Sequence, residues 1–355
     1  MTNKERFYTI ISGGIPDRVP FLIFSELLPG DVFEKELKPR GVGLIVHTGS
    51  VFPIRRLVEE NSSFDGDIHT ITLETPAGKL TACYRTGFKH ASGNGEVQKE
   101  WFVKSEQDYA AMIWVLDHTD FDMNDAHYRD VKQRLGDDGI THTWCDEPPY
   151  MGLQYLLGYE SWAMHQFDHP ELFDELLLAY GRMQDRRMKV QVQSPEKDLI
   201  NIGNLSGNYS PKNYEKYTKP YFDHYAEILR KAGCSVTIHA DALNLKEHLS
   251  LCPGPYVNVV EAFTPPPIGN LSLSEARTAW GDNTTIHINI PETLFYSGYE
   301  VTYKWTRDLL LSDPCPNKFL SFTEMGLLGV DGEKLKIFKQ GIYAVIDALD
   351  KYGVY

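Results

Sequence analysis

Three residues have types and a spacing that suit a metal site. His239 and Asp241 are two positions apart in CSVTIHAD, and Glu324 follows a later apolar run, KFLSF. Side chains two positions apart on a strand point to the same face. One imidazole and two carboxylates suit zinc or a similar divalent ion with an open position for substrate. The alternative is a local hydrogen bond at His239 and a loop cap at Glu324.

Other carboxylates at the ends of apolar runs are candidates for acid–base catalysis. Glu261 directly follows Val257–Val260, where burial would raise its pKa and suit it to proton transfer. It could equally orient His239 or cap the next turn. Asp146 and Glu147 precede a Pro-Pro pair, and a structural salt bridge is the alternative for either one.

Several polar and aromatic side chains near these acids are candidates for binding a substrate. They are His142, Trp144, Tyr150, Asn204, Asn208 and Asn289. The aromatic side chains would suit a flat apolar ligand with a polar handle. Asparagine amides could orient ligand oxygens, although NLSGNYSP also suits an ordinary turn. The remaining histidines are interpreted as surface or packing residues, among them His47, His90, His118 and His127.

Eight short apolar runs would bring these candidates together. They are too short for helices and too continuous for half-exposed hairpins, which predicts strands buried on both faces of a parallel sheet. The predicted strands cover 19–24, 42–47, 139–145, 198–204, 234–240, 256–263, 284–290 and 318–322. Helical stretches between them predict a (β/α)₈ barrel, in which chemistry belongs at the carboxyl ends of the strands.

Two further patterns complete the predicted fold. Residues 69–87 alternate with period two around a Pro-Ala-Gly turn, which predicts an antiparallel hairpin between the second and third barrel strands. Ser210 is expected to cap a helix that Pro220 kinks or breaks. Because no linker divides the chain, we predict one α/β domain over 1–355, a single TIM barrel with an N-terminal β-hairpin insertion.

Composition excludes several classes of function. Thirty-five Lys and Arg against 49 Asp and Glu leave a net charge of −14, which argues against a nucleic acid partner. No apolar run could span a membrane and no signal peptide is visible, so we expect a cytoplasmic protein. The five cysteines form no CxxC pair, and no glycine-rich phosphate motif supports a nucleotide cofactor.

Several motifs resemble those of the uroporphyrinogen decarboxylase-like superfamily. The opening ERFYTIISGGIPDRVPF is similar to the Glu-Arg, short helix and Pro-Asp-Arg-Val-Pro with which these proteins begin. In the same order follow TITLETPAGKL, SPKNYEKYTKPYF, TIHAD and VVEAFTPPPIGNLSLSEARTAWGD. The resemblance covers essentially the whole chain and implies a TIM barrel.

Within the superfamily, the chain resembles the cobamide-dependent methyltransferases more than the true decarboxylases. The decarboxylases have an arginine-rich loop after the first strand, whereas FSELLPGDVFEKELKPRG is acidic and reaches only Arg40. The methyltransferases carry zinc on a His-x-Cys pair and a later Cys, positions matched here by His239, Asp241 and Glu324. Carboxylates in place of two thiolates suit a substrate bound through oxygen.

In that branch the similarity is greatest to the methyltransferases of anaerobic O-demethylase systems. It implies demethylation of an aryl methyl ether, a small aromatic substrate, with Glu261 or Glu147 supplying or steering a proton. The methyl group would pass to cobalamin on a separate corrinoid protein, since this chain has no corrinoid-binding signature. The superfamily commonly forms homo-oligomers. The alternatives are a decarboxylase of an aromatic or porphyrin-type acid and a non-catalytic corrinoid-delivery or sensing protein.

Overall fold

The structure, a computed structural model, describes residues 1–28, 31–88, 95–205, 210–241, 243–322 and 332–355. The chain divides into two compact units. Unit 1 comprises Met1–Ser50, Asp125–Cys145 and Pro195–Tyr355, and unit 2 comprises Val51–Asn124 and Asp146–Ser194. One domain over 1–355 therefore stays a prediction.

The secondary structure alternates strands with helices over most of the chain. The strands are β1 (Leu22–Phe24), β2 (Gly43–Thr48), β3 (Val51–Arg55), β4 (Glu59–Asp65), β5 (Ile68–Thr75), β6 (Gly78–Arg85), β7 (Val97–Glu100), β8 (Thr119–Met123), β9 (Gly139–Trp144), β10 (Leu199–Asn204), β11 (Val236–His239), β12 (Val259–Phe263), β13 (Thr285–Asn289) and β14 (Lys318–Ser321). The α-helices are α1 (Asn3–Ile11), α2 (Tyr109–Asp117), α3 (Ala126–Leu135), α4 (Pro149–Leu157), α5 (Tyr159–Asp168), α6 (Pro170–Gln191), α7 (Pro211–Asn213), α8 (Lys219–Lys231), α9 (Leu273–Trp280), α10 (Glu292–Tyr296), α11 (Tyr299–Ser312) and α12 (Gly332–Tyr352).

Unit 1 contains the barrel. Its eight strands form one parallel sheet in the order β1-β2-β9-β10-β11-β12-β13-β14, and a parallel bridge between Phe21 and Leu320 joins the first strand to the last. Every residue of β12 and β13 is buried, because helices cover the outer face and side chains fill the interior. The predicted TIM barrel is confirmed. Seven of its eight strands lie within predicted ones, and β2 ends one residue beyond its predicted range, at Thr48.

The helix after Ser210 shows how the chain accommodates Pro220. The Ser210 hydroxyl accepts a hydrogen bond from the Asn213 amide, as predicted for a cap. A π-helical turn then covers Tyr214–Thr218, and Pro220 is the second residue of α8. Proline breaks no helical hydrogen bond in a first turn, so the predicted interruption lies just before this proline.

Unit 2 contains the predicted hairpin, formed by β5 and β6. The hairpin lies inside a four-stranded antiparallel sheet, β4-β5-β6-β7, and β3 pairs with β8 in a second small sheet. Neither β4 nor β7 was predicted. All seven residues of β4 are exposed, so this strand has no buried face that would impose an apolar alternation.

None of the described helices is long and apolar enough to cross a membrane.

Candidate functional site

The centre of the candidate site is Glu261, a buried carboxylate in the barrel. It accepts hydrogen bonds from His142 Nε2 at 3.1 Å and Asn201 Nδ2 at 2.9 Å. Its other oxygen is 3.9 Å from His239 Nδ1. These four residues, called the barrel site below, come from the neighbouring strands β9, β10, β11 and β12, between the middle of each strand and its carboxyl end.

Two irregularities in the strands aim these side chains. The register of β12 shifts between Val260 and Phe263, and Ala262 has a positive φ of 57°. The register of β10 shifts between Asn201 and Asn204. Bulges re-aim side chains next to active sites, and a left-handed alanine is a strained conformation. The backbone therefore departs from regular strand geometry beside both Asn201 and Glu261.

The electrostatics correct one prediction. Burial would raise the pKa of Glu261, but the interaction with His142, including its hydrogen bond, and the charge of His239 outweigh burial and hold this pKa well below its usual range. The raised pKa expected from the sequence was wrong, because the neighbouring strands place imidazoles against the carboxylate. Burial lowers the pKa of His239, but the nearby carboxylates of Asp241 and Glu261, 3.5 and 3.9 Å from its ring nitrogens, raise it to about 10.

The predicted metal ligands are partly placed by the structure. His239 Nε2 lies 3.5 Å from Asp241 Oδ2. Two ligands of a tetrahedral zinc ion, each about 2.1 Å from the metal, are about 3.4 Å apart, so this pair fits two ligand positions. Glu324 lies outside the described residues. Among the described residues, no group of three or more His, Cys, Asp or Glu could hold a metal ion, and zinc stays a prediction.

Aromatic and polar groups surround the barrel site. Trp144 is 37% exposed, and its ring lies edge to face with that of His239 at 5.9 Å. The His47 ring lies 4.7 Å from the His142 ring, and its Nδ1 is 2.5 Å from Glu26 Oε1. His47 is exposed, as interpreted from the sequence, but the sequence analysis did not place it beside His142. Its place near the end of a predicted strand was a usable signal.

The asparagines differ in their positions. Asn204 ends β10 and is in register with His239, whereas Asn289 is buried and donates to Thr264 Oγ1 at 2.9 Å. Asn208 lies outside the described residues. The sequence analysis missed Asn201, although a polar residue inside an otherwise apolar strand is a signal for a buried hydrogen bond.

Tyr150 occupies the core of unit 2. It is fully buried in α4, and its hydroxyl donates to Gln166 Oε1 at 3.0 Å. Its ring packs against Trp162 with centroids 4.7 Å apart. The structure gives this tyrosine a packing role in place of the substrate contact expected from the sequence.

The two acids that precede the Pro-Pro pair also belong to unit 2. Asp146 Oδ2 lies 3.8 Å from Arg187 Nη1, and Asp146 has a left-handed φ of 72°. Glu147 is buried, and its carbonyl oxygen accepts a hydrogen bond from Gln184 Nε2 at 3.0 Å. The contact with Arg187 matches the salt bridge that was the alternative for Asp146.

The chain is similar in structure to a methyltransferase from Methanosarcina mazei, with a TM-score of 0.58 and 11% identity over 99% of both chains. A B12-independent methionine synthase from a Shewanella species has a TM-score of 0.46, with 9% identity over 90% of this chain and 86% of that one. A glycoside hydrolase family 5 enzyme from Prevotella bryantii has a TM-score of 0.43, with 11% identity over 98% of this chain and 99% of that one. No family model and no curated protein matches the chain. The likeness to the methyltransferase shows a shared fold along the full length of this chain.

Proposed function

We propose that this protein is a methyltransferase that demethylates an aryl methyl ether and passes the methyl group to a corrinoid carried by a separate protein. One observation supports this proposal above the others. His239 lies between Asp241 and Glu261, 3.5 and 3.9 Å away, and beside the partly exposed ring of Trp144. A polarising group next to an aromatic surface is what cleavage of an aryl ether requires.

The substrate ring would pack against Trp144, with its ether oxygen directed at His239. An aryl ether is a poor methyl donor, because the departing phenolate has a conjugate-acid pKa of about 10 and its charge must be neutralised as it forms. The carboxylates nearest His239 are those of Asp241 and Glu261. They favour a neutral phenyl ether over a carboxylated substrate, because both would repel a carboxylate.

His239 is the residue that we propose to hold the proton. Its pKa of about 10 matches that of a phenol, so a proton would move to the departing oxygen without a large energetic penalty. Asp241, 3.5 Å from Nε2, would favour the protonated ring by its charge without a close hydrogen bond that holds the proton. Glu261, ionised and held by His142 and Asn201, would stabilise the imidazolium from the other side. Glu261 thus takes a positioning role, in place of the proton donor expected from the sequence.

A metal would use the same residues in another way. His239 and Asp241, with Glu324 as the third ligand, would hold zinc, which when bound would supply a Lewis acid for the ether oxygen. The corrinoid of the partner protein would supply the nucleophile for the methyl carbon. The proton route and the zinc route exclude each other at His239 Nε2, since a metal-bound imidazole nitrogen carries no proton.

The test is methyl transfer from a panel of methoxyarenes to a reduced corrinoid protein, followed by the corrinoid absorbance, with and without a chelator. Transfer that stops on chelation supports the zinc route, and transfer that survives supports protonation by His239. Absence of transfer from every ether contradicts the proposal. Release of CO₂ from an aromatic acid would then favour a decarboxylase, and corrinoid-protein binding without turnover would favour a delivery or sensing protein.

A further inference from the structure

Unit 2 contains a partly open cavity that the proposed reaction does not use. Its volume is about 190 Å³, and β3, β8, α2 and α6 contribute most of its lining. Most lining side chains are apolar, including Leu116, Phe121 and Met183. An apolar cavity of about 150 Å³ in a protein interior is enough to bind benzene. The size and lining therefore suit one substituted ring.

Five polar side chains also line this cavity, namely Arg55, Thr119, Asp146, Tyr180 and Arg187. The charge of Arg55 is balanced by its ion pair with Glu60. The Tyr180 hydroxyl donates to Asp146 Oδ1 at 3.4 Å, and Arg187 Nη1 lies 3.8 Å from Asp146 Oδ2. Both separations exceed the roughly 2.7–2.9 Å of a close charge-assisted hydrogen bond. A polar group of a ligand could therefore bond to Asp146 and Arg187 at once.

The charges of these groups select the ligand. A carboxylate ligand would be attracted by Arg187 but repelled by Asp146. An ammonium ligand would be attracted by Asp146 but repelled by Arg187. A neutral hydroxyl can donate to the Asp146 carboxylate and accept from the Arg187 guanidinium. We propose that this cavity is a binding site for a neutral single-ring phenol. The proposal does not rest on the methyltransferase function, and none of the lining residues belongs to the barrel site.

The experiment is calorimetric titration of the full chain with phenol, anisole, benzoate and toluene. We expect phenol to bind about tenfold more tightly than each of the others, because only phenol is both neutral and able to donate to Asp146. Asp146→Asn, which keeps the shape and tolerates the left-handed backbone, should weaken phenol binding by about tenfold. Equal binding of phenol and anisole would overturn the assignment.

The second part of the experiment uses variants that fill the cavity. Leu116→Phe places a ring in the cavity and should reduce phenol binding at least tenfold, whereas Leu178→Phe, at an exposed position of α6, should leave it unchanged. Met112→Phe replaces Leu116→Phe if the latter lowers the melting temperature strongly. Phenol binding that survives both filling variants but is lost in His239→Ala would place the ligand in the barrel and overturn the proposal. Failure of methyl transfer would not alter these outcomes.

Discussion

Two buried charged clusters lie in unit 1, one toward each end of the barrel, and they differ in how completely they are paired. At the amino end, Arg277 donates to Asp313 and to the carbonyl oxygens of Gly281, Thr284 and Asn317. Lys318, the first residue of β14, donates to the carbonyl oxygens of Asp313 and Cys315 and to the Tyr355 hydroxyl. These contacts bond each cation on several sides.

The barrel site is paired less completely. His142 Nδ1 and His239 Nδ1 have no hydrogen-bond partner among the described residues. The same holds for both ring nitrogens of His287, a buried residue of β13 outside the barrel site. Buried polar groups are nearly always bonded, so an exception calls for an explanation. At the carboxyl end of a barrel, we propose that a bound ligand completes the hydrogen bonding. On this proposal the cluster at the amino end contributes stability and the barrel site carries out chemistry.

The largest expected effect is on activity at the barrel site. His239→Ala should reduce methyl transfer by about 10³-fold, because it removes the group that polarises the ether oxygen. The melting temperature should change little, since the side chain is partly exposed. Steady-state transfer and thermal unfolding measure the two effects, with the exposed His127→Ala as the control. Retained activity together with a large loss of stability would contradict the assignment.

The next effect is on stability at the amino end. Arg277→Ala should lower the free energy of unfolding by about 4 kcal/mol, because it leaves the Asp313 carboxylate buried without its main cation. Arg134→Ala, which removes an exposed i,i+4 pair with Asp130, should cost about 0.5 kcal/mol or less. Urea denaturation measures both. A comparable loss of unfolding free energy in the two variants would show that the burial of the Arg277–Asp313 pair does not add to its effect on stability.

A smaller, pH-dependent effect is expected at Lys318. Burial lowers its pKa to about 8, against the attraction of Asp313, whereas in the unfolded chain it is about 10.4. Between these values the unfolded state binds more protons, so the contribution of Lys318 to stability rises with pH. Between pH 7 and 10.5, the free energy of unfolding of the wild type should therefore rise by about 3 kcal/mol relative to that of Lys318→Met.

Urea denaturation at several pH values checks this effect. The exposed Lys336→Met serves as the control and should show no pH-dependent difference from the wild type. If the difference in free energy of unfolding between wild type and Lys318→Met does not change with pH, Lys318 remains charged in the folded protein throughout the range.

The smallest effect separates two roles of Glu261. Glu261→Gln removes the charge that faces His239 but keeps the side-chain shape, and should slow transfer by about 10²-fold. Because Glu261 would act through the proton on His239, the slowing should be greater for aryl ethers than for activated methyl donors, and Glu261→Gln should have little further effect in a His239→Ala background. A further slowing of ether demethylation in that background would restore Glu261 as the proton donor.

The sequence predicted more of the scaffold than of the site. Continuous apolar runs marked all eight barrel strands, because strands covered on both faces have little freedom in composition. The exposed strand β4 had no such constraint and was not predicted. In the site, His142, His239 and Glu261 followed from their places near strand ends. His47 and Asn201 were missed, since their importance depends on which strands become neighbours.

What the sequence determined by itself is the barrel and the set of polar residues near its strand ends, because both follow from local patterns of burial. Only the tertiary structure decided which of them meet. The parallel register sets His239 opposite Glu261, and a bulge aims that carboxylate between two imidazoles. This contact reverses the pKa shift that burial alone would produce, because an electrostatic environment depends on distances between residues far apart in the chain.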